Sequence, residues 1–597
     1  GFAVFFVLWH HAEYELKSDQ FHKDHERIFR VYSDFYFNSG IDWTHYLCGS
    51  MHPVFATIAK EQFTAIESTT RIIHQRNLDE VRWEGPQTDT AGWSELETKV
   101  ILSYVDRQGV KRTFKETKAA YADPNFFDFF SIRLIKGEPR QVLNNPDGVV
   151  LSESISKKYF GEDDPVGKTL LRNGTQAVTV TGVFQDPPHN SHLNADLLFS
   201  TLKILHAIEN ASPFQQSAVN YFKLREGVSI AELENWITLE HRKHWQFDDG
   251  FPGSVLTLHL QPLKDVSFRI FDNDVFVPKS RYILSILQIV AIVVLLMALI
   301  NYLNLKISTQ NARMKELATR KTSGAVKMDF IKQFFIESMV VNVIAIVIAL
   351  TLIQLFRYLL EVLFQFYLPP WNEISIPSMS VFAIVMLISI VIAGLHPALS
   401  MWRISIYKIF YNARPSTKTS SFSLISTVLQ FIIATSLIVW LVTVSNQLIF
   451  LTNDTWGLDR ARVIVLEMPL DLNTYARTKI RNLKNELLAT SGVADVTLST
   501  TVAGDLLENR IGFSRQDTAG LYVVSKSDGG VDERYISFYN LKLLAGRNFL
   551  ADNPADKNSV ILSRAAAKSL GLTPDQAIGK RVQVEKYSWR TLSSVAE

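Results

Sequence analysis

The sequence predicts an α-helical membrane protein with α+β domains outside the membrane, and three observations predict it. Four apolar runs free of charge are long enough to cross a bilayer, which takes about 20 residues. The loops between them alternate in charge in the manner that fixes membrane orientation. A block of sequence near the start recurs near the end with its strand and helix pattern intact.

The averages conceal this. The 597 residues are 47% hydrophobic and 20% charged, with a net charge of +2, which reads as soluble until the apolar residues are seen to be segregated. The near-neutral balance gives no footing for nucleic acid as a partner. Cys48 is the only cysteine, so there is no internal disulfide or thiolate metal site, and it is read as a small buried hydrophobe.

The elements follow in order. "GFAVFFVLW" is too short to span and lacks a basic leader, so residues 1–10 are read as the end of a transmembrane helix whose start is missing. Residues 11–280 form an outside domain. Strands fit Arg27–Phe35, Val178–Phe184 and Val255–Leu263, helices fit Pro53–Phe63 and Ser229–Trp245, and "DPPHNSH" (Asp186–His192) is a turn. The charge-free runs are Tyr282–Leu305, Ser338–Phe356, Ile376–Trp402 and Thr419–Asn453. They place transmembrane helices at 282–305, 334–357, 378–401 and 422–450. Segments 306–333 and 402–420 are cytoplasmic, and 451–597 is a second outside domain, expected to be incomplete because "SSVAE" stops in mid-domain.

Charge sets the sidedness. Lys306, Arg313, Lys315, Arg320, Lys321, Lys327 and Lys332 outnumber the acids of the first basic loop. Arg403, Lys408, Arg414 and Lys418 face no acid at all in the second. Positive loops stay inside, which leaves residues from about His10 to Arg281 and those after Asn453 outside. Glu337, Arg357 and His396 lie only at or near segment ends, which disfavours a proton-coupled carrier.

"YFGEDDPVGKTLL" (Tyr159–Leu171) resembles a phosphate loop and fails as one. It has one residue too many between Gly161 and Gly167, three acids that would repel a polyphosphate, and Pro165 with no N–H to donate. The repeat decides the matter. "ADPNFFDFFSIRLIKG" (Ala122–Gly137) recurs as "DERYISFYNLKLLAG" (Asp532–Gly546), and "VVLSESISKKYFGEDDPVGKTL" (Val149–Leu170) as "VILSRAAAKSLGLTPDQAIGKRV" (Val560–Val582). Ser152 and Ser563 stand where each helix would be capped. Gly-Lys returns as Gly579-Lys580, but Thr169 becomes Arg581, so the turn is kept without the magnesium-binding hydroxyl.

Other candidates are weak. The pairs His22/His25, His189/His192 and His241/His244 lack the glutamate of a zinc protease motif and are read as solvent-facing or hydrogen-bonded. Phe126, Phe127, Phe129 and Phe130 are read as core, since Tyr535, Phe538 and Tyr539 stand in for members in the second copy.

The same residues resemble the permeases of MacB/FtsX-type ABC transporters across essentially the whole chain. "DQFHKDHERIFRV", "YADPNFFDFF", "VTGVFQDPPHNSHL" and "LQPLKDVSF" follow in that family's order. "NYLNLKISTQNARMKELATRKTSGAVKMDFIKQFFIES" (Asn301–Ser338) is similar to its exit from the second membrane helix, and "AGLHPALSMWRIS" to the exit from the fourth. The resemblance implies a duplicated permease in the bacterial inner membrane, with two MacB-like periplasmic core domains. It also implies a separate cytoplasmic ABC ATPase that binds the ATP, and a periplasmic adaptor or envelope protein besides the membrane lipids. No cofactor and no catalysis are expected of this chain itself. Related permeases drive efflux, extract lipoproteins or transmit force to a cell-wall hydrolase. The alternative is an envelope sensor of the FtsX type that moves no cargo.

Under that resemblance the basic loop becomes an ATPase-docking segment: Arg313, Lys315, Glu316, Arg320, Lys321, Gly324 and Lys327. Glu316 and Arg320 are spaced to pair on a helix, and Thr322-Ser323-Gly324 should break it. Ala325–Phe335 should then form an amphipathic helix along the inner membrane surface. "RKTSGA" departs from the family's more usual apolar residue before the turn and leaves the turn itself intact.

Overall fold

The structure, a computed structural model, describes residues 1–38, 43–74, 100–105, 108–174, 176–205, 217–245, 253–269, 271, 278–312, 314–364, 366–370, 374–402, 421–453, 462–466, 474–500, 511–515, 522–525, 529–551, 553–584 and 588–596. The chain falls into two units, Gly1–Ser18 with Lys279–Thr452, and Asp19–Pro278 with Asn453–Glu597. Helix α1 (Phe2–Leu16) opens the first, running past His10, where the sequence placed the end of the membrane segment. Nothing in "HHAEYEL" breaks a helix, and Glu13–Lys17 at 2.6 Å adds an i,i+4 contact at its end.

Asp19–Pro278 is built on one large mixed sheet. Its strands are β1 (Ile28–Asn38), β2 (Trp43–Cys48), β3 (Ile66–His74), β4 (Val100–Val105), β5 (Lys111–Glu116), β6 (Ala119–Ala122) and β7 (Leu134–Lys136). They continue with β8 (Gly148–Ser152), β9 (Thr169–Arg172), β10 (Gln176–Phe184), β11 (Leu197–Ser200), β12 (Val219–Leu224) and β13 (Val255–Pro262). The order is β13-β1-β12-β3-β6-β11-β8-β10-β9-β4-β5, with β2 paired to β1 and β7 to β10. The pairs β6–β11 and β8–β10 are parallel. Side chains of successive strand residues point to opposite faces, and here both faces are covered. Ile73, Val149, Leu151 and Phe199 pack under α4 (Glu153–Phe160). Ile72, Val150, Leu198 and Tyr221 pack under the four phenylalanines of α3 (Phe126–Phe130), which are core as expected. Helices α2 (Phe55–Gln62) and α5 (Ile230–His244) cover the β1–β12–β13 end. Cys48 is buried in β2.

The helical unit continues with α6 (Arg281–Ala312), α7 (Met314–Thr322), α8 (Lys327–Phe364), α9 (Ile376–Trp402) and α10 (Ser421–Asn453). Among the described residues four helices are long and apolar enough to cross a membrane, with cores at Arg281–Lys306, Met328–Leu363, Ile376–Leu395 and Leu424–Phe450. Phe5 packs with Ala291, Leu295 and Phe382, and Phe6 with Ile353 and Leu368, so α1 lies among α6, α8 and α9. Polar contacts fasten the end where α1 stops and α6 and α9 begin. Ser375 donates to Glu13 at 3.0 Å while capping α9, and Lys279 reaches Glu15 at 2.6 Å. Outward-facing Ile283, Ile289, Val347 and Leu387 remain exposed, a surface suited to lipid.

One expectation is overturned here. Ala325–Phe335 does not form a separate surface helix, because α8 runs unbroken from Lys327 for 38 residues, about 57 Å. No proline or glycine interrupts it, and nothing else in the sequence would make it stop and restart. The predicted loop 402–420 lies, from Arg403 on, outside the described residues, and Lys408, Arg414 and Lys418 with it.

Asn453–Glu597 has α11 (Thr474–Leu488), β14 (Ile511–Arg515), β15 (Tyr522–Ser525), α12 (Tyr535–Phe538), β16 (Leu543–Gly546), β17 (Ser559–Ser563), α13 (Arg564–Ser569), α14 (Pro574–Ala577), β18 (Arg581–Val584) and β19 (Ser588–Ala596). Its pairing repeats that of the first domain. β19 is parallel to β17 and antiparallel to β16 and β18, as β10 is to β8, β7 and β9. Beyond β18 come β14 and β15, as β4 and β5 lie beyond β9.

Candidate functional site

The turn between α7 and α8 is fixed by its own backbone. Gly324 has φ +95°, the left-handed geometry that glycine adopts without strain. Ala325 N–H donates to Arg320 O at 3.1 Å and Gly324 N–H to Lys321 O at 3.3 Å, the double closure of a Schellman motif. On the far side, the Asp329 carboxylate accepts from Val326 N–H at 2.9 Å and caps the start of α8.

Across this turn runs a ladder of side chains. Arg320 donates to Glu316 Oε1 at 2.8 Å within α7, as the spacing predicts, and also to Gln333 Oε1 at 3.2 Å on α8. Gln333 Nε2 donates to Glu337 Oε1 at 3.5 Å, and Lys306 of α6 reaches Glu337 Oε2 at 3.4 Å. An exposed i,i+4 pair is worth only about 0.3–0.5 kcal/mol, so Glu316–Arg320 alone would hold little. The ladder ties α7, α8 and α6 into one corner, stiffened beneath by buried Phe330 and Phe334. One further contact closes α8 on α9: a Cβ at Gly394 would stand 3.0 Å from Phe335 Cα.

Of the seven predicted site residues, Glu316, Arg320 and Lys321 lie on α7 and Gly324 in the turn. Lys315 and Lys327 are placed by their backbones within α7 and at the first position of α8. Arg313 lies outside the described residues. Sequence reasoning missed Gln333 as a partner of Arg320, and Glu337 and Lys306 as the next members of the ladder, although the α8 residues Gln333 and Glu337 fall at i,i+4.

A second site, in the Asp19–Pro278 domain, was also missed. Asp19 adopts φ +60° and is fully buried. Its Oδ1 accepts from Ser191 Oγ at 3.2 Å, from His192 N–H at 3.0 Å and faces His192 Nδ1 at 2.8 Å, while Oδ2 accepts from Ser267 Oγ at 3.0 Å. His192 Nε2 in turn lies 2.8 Å from the Tyr221 hydroxyl. Burial alone would raise the Asp19 carboxyl, but the charge and hydrogen bonds of His192 hold it below its ordinary value. One carboxylate thus binds the chain just after α1, the 186–192 turn, and the segment after β13 that leads to α6. Of the paired histidines, His22 is buried with Nδ1 2.8 Å from Phe130 O, and burial pushes it down to about 4. His241 packs on Phe55 and Trp245 and is pushed down to about 3. Both have structural surroundings.

The Gly-Lys turn opens a strand, not a helix. Lys168 Nζ is held by Asp163 at 3.3 Å and lies over the Phe160 ring. Gly167 and Gly579 share positive φ (+81° and +76°), and Ser152 and Ser563 both cap. The repeat extends to side-chain chemistry. Asp123 accepts from Arg71 N–H at 2.9 Å, from the Arg71 guanidinium, and from Thr201 at 2.7 Å. Asp532 accepts from Leu498 N–H at 2.9 Å, Lys484 at 2.6 Å and Thr497 at 2.6 Å.

Comparison with known proteins gives two family matches: a MacB-like periplasmic core domain over residues 2–239, and an FtsX-like permease C-terminal domain over residues 287–409. Among curated proteins, the macrolide export ATP-binding/permease protein MacB 1 of Yersinia pestis bv. Antiqua (strain Antiqua) is 23% identical over 294 residues, 47% of this chain and 41% of the relative. MacB of Neisseria meningitidis serogroup A is 23% identical over 37% of this chain and 32% of the relative. The chain therefore spans less than half the length of these curated relatives. Among solved structures, a domain of a candidate permease protein from Porphyromonas gingivalis is 25% identical, with TM-score 0.33, over 44% of this chain and 98% of that one. The periplasmic region of MacB from Actinobacillus actinomycetemcomitans is 17% identical, with TM-score 0.25, over 38% and 87%.

Proposed function

The two matched models make this chain a MacB/FtsX-like ABC permease, and from that premise we propose that it converts the ATP-driven closure of a separate cytoplasmic ATPase into movement of its outer domains. The chain sits in the bacterial inner membrane as a multi-pass protein, with the α7–α8 corner inside and both α+β domains in the periplasm. Lys315, Glu316, Arg320, Lys321, Gly324 and Lys327, with Arg313, form the docking surface. The observation that carries this reading is the Glu316–Arg320–Gln333–Glu337–Lys306 ladder. A push on α7 cannot be absorbed in the turn and passes into α6 and into α8, a helix longer than the roughly 30 Å hydrocarbon core. At the other end, Asp19 fastens the two chain segments that join the first outer domain to α1 and α6.

Movement of the outer domains would serve efflux, lipoprotein handling or mechanical signalling to an envelope partner. Co-expression with candidate ATPases tests the reading. Arg320→Ala with Lys321→Ala is expected to abolish both complex formation and stimulated ATPase activity, and retention of both would refute the docking surface. Transport by the assembled complex separates a pump from an envelope sensor of the FtsX type.

A further inference from the structure

The outer domain Asp19–Pro278 contains a cavity of about 210 Å³ that neither family match assigns. It is larger than the ~150 Å³ apolar cavities known to take up benzene. Ile72, Phe126, Phe184, Leu193 and Leu198 form its wall, all of them buried in the core beneath α3.

Three polar groups mark it as a site for more than a hydrocarbon. Arg133 stands exposed on its rim, and its guanidinium has no hydrogen-bond or ion-pair partner among the described residues. The repeat keeps a base at the same position, Lys542, which likewise stands two residues after a left-handed residue, Asn540 for Ser131. His22 lines the wall, buried, with its Nε2 3.9 Å from Asp19 and outside hydrogen-bond reach. The carboxylate on the wall, Asp186, is engaged by the N–H and hydroxyl of Ser154 in the first turn of α4, where the helix end offsets its charge. Phe21, nearly half exposed, extends the apolar surface toward the rim.

We propose that this cavity binds one bulky apolar group that carries a carboxylate, the hydrocarbon inside and the anion on Arg133. A medium-length acyl chain and a peptide ending in leucine or phenylalanine share that chemistry. The cavity is separate from the α7–α8 corner, so the inference stands or falls independently of ATPase docking.

The test uses the full chain in lipid nanodiscs without any ATPase. A diazirine-bearing octanoate is photolysed at increasing concentration, and labelling of peptides covering Phe126–Arg133 and Phe184–Leu198 is measured by mass spectrometry. Saturable labelling of these peptides is expected, displaced by octanoate and at least tenfold less well by octanol. Arg133→Gln, a surface change that leaves the fold intact, should weaken it tenfold or more, and Ala195→Phe, which fills the cavity, should remove it. Competition by octanoate alone identifies an acyl source, and competition by N-acetyl-Leu-Phe as well extends the site to peptide termini. Labelling that does not saturate, or that octanol displaces as well as octanoate and Arg133→Gln leaves unchanged, would overturn the proposal.

Discussion

Replacing Asp19 should unfasten the first α+β domain at the point where both of its connecting segments are held. The carboxylate is fully buried and receives four polar contacts between 2.8 and 3.2 Å, from Ser191, His192 twice and Ser267. Asp19→Ala leaves these donors without an acceptor in a dry interior. Removing one partner of a buried charged pair costs about 3–5 kcal/mol, and alanine at a positive φ adds strain on the order of 1 kcal/mol. Asp19→Asn keeps one acceptor oxygen and tolerates the left-handed backbone. It loses only the charge-assisted part of the His192 contact, about 1–2 kcal/mol. Ser267→Ala removes a single hydrogen bond, about 1 kcal/mol. At roughly 2–4 °C per kcal/mol for a domain of this size, the alanine variant should melt about 8–24 °C below the parent. Heating the full chain in detergent, with pulse proteolysis of peptides from β1, β12 and β13, reads that domain directly. A midpoint for Asp19→Ala within about 2 °C of the parent, or below which Asp19→Asn falls, would refute the reasoning. If the domain stays folded in Asp19→Asn while ATPase stimulation persists and domain movement is lost, the carboxylate is a transmission point.

Acid should loosen the same domain. His22 and His241 are held neutral, at about 4 and about 3 against 6.5 for a free imidazole, so the unfolded chain takes up protons that the fold refuses. Stability is therefore full above pH 6.5 and falls as pH drops toward 4, by about 2 kcal/mol per histidine at pH 5. His241→Phe should flatten the slope of melting point against pH, and an unchanged slope would contradict its burial as the cause. A reporter active only in the periplasm should work when inserted near Val150 and stay silent near Arg320, and the reverse pattern would invert the orientation. Gln333→Ala cuts the ladder between α7 and α8. It should leave ATPase binding in pull-downs within twofold while lowering stimulated ATPase activity several-fold, whereas equal loss of both would mean that the ladder shapes the docking surface itself. Gly394→Ile places side-chain atoms against the Phe335 backbone and should destabilise the helical unit by about 1–3 kcal/mol, read as a lower detergent melting point.

Period and charge are local signals, and what they determine was legible. The apolar runs became helices because a long apolar segment must satisfy its backbone internally, and α9 does so even across Gly394 and Pro397, while the alternating "VTVTGVF" became part of β10 with residues such as Val178 and Val180 inward and the intervening Thr179 less buried. The Glu316–Arg320 pair and the Gly324 turn followed from spacing alone. Asp19 was not legible, because its partners lie 172 to 248 residues away and meet it only once the sheet has formed. The surface helix at Ala325–Phe335 was misread for a related reason. Lysines on one face suggest the edge of an apolar segment, but a helix without a breaker continues past such an edge, and α8 runs on unbroken.

The duplication explains which of the quoted motifs carry structure and which would carry chemistry. In both copies an aspartate shortly before a short helix, Asp123 or Asp532, gathers a base, a threonine and a backbone N–H. Burial would raise Asp532, yet Lys484, Thr497 and Leu498 hold it below its ordinary value, the signature of a carboxylate kept charged by its donors. The identities have drifted, arginine to lysine and Thr201 to a threonine from a different part of the chain, while the geometry has stayed. Gly167-Lys168 behaves in the same way: its glycine supplies a left-handed turn, its lysine serves the loop's own acid, and Thr169 begins a strand. A nucleotide site would tolerate drift in the scaffold and keep its hydroxyl, whereas here the scaffold is kept and the hydroxyl is exchanged for Arg581. Loss of ATPase stimulation on mutating the α7–α8 corner, together with indifference to Lys168→Ala, would place the proposed energy-coupling chemistry outside both repeats. Nucleotide-dependent protection of Lys168 from amine labelling would instead reverse that assignment.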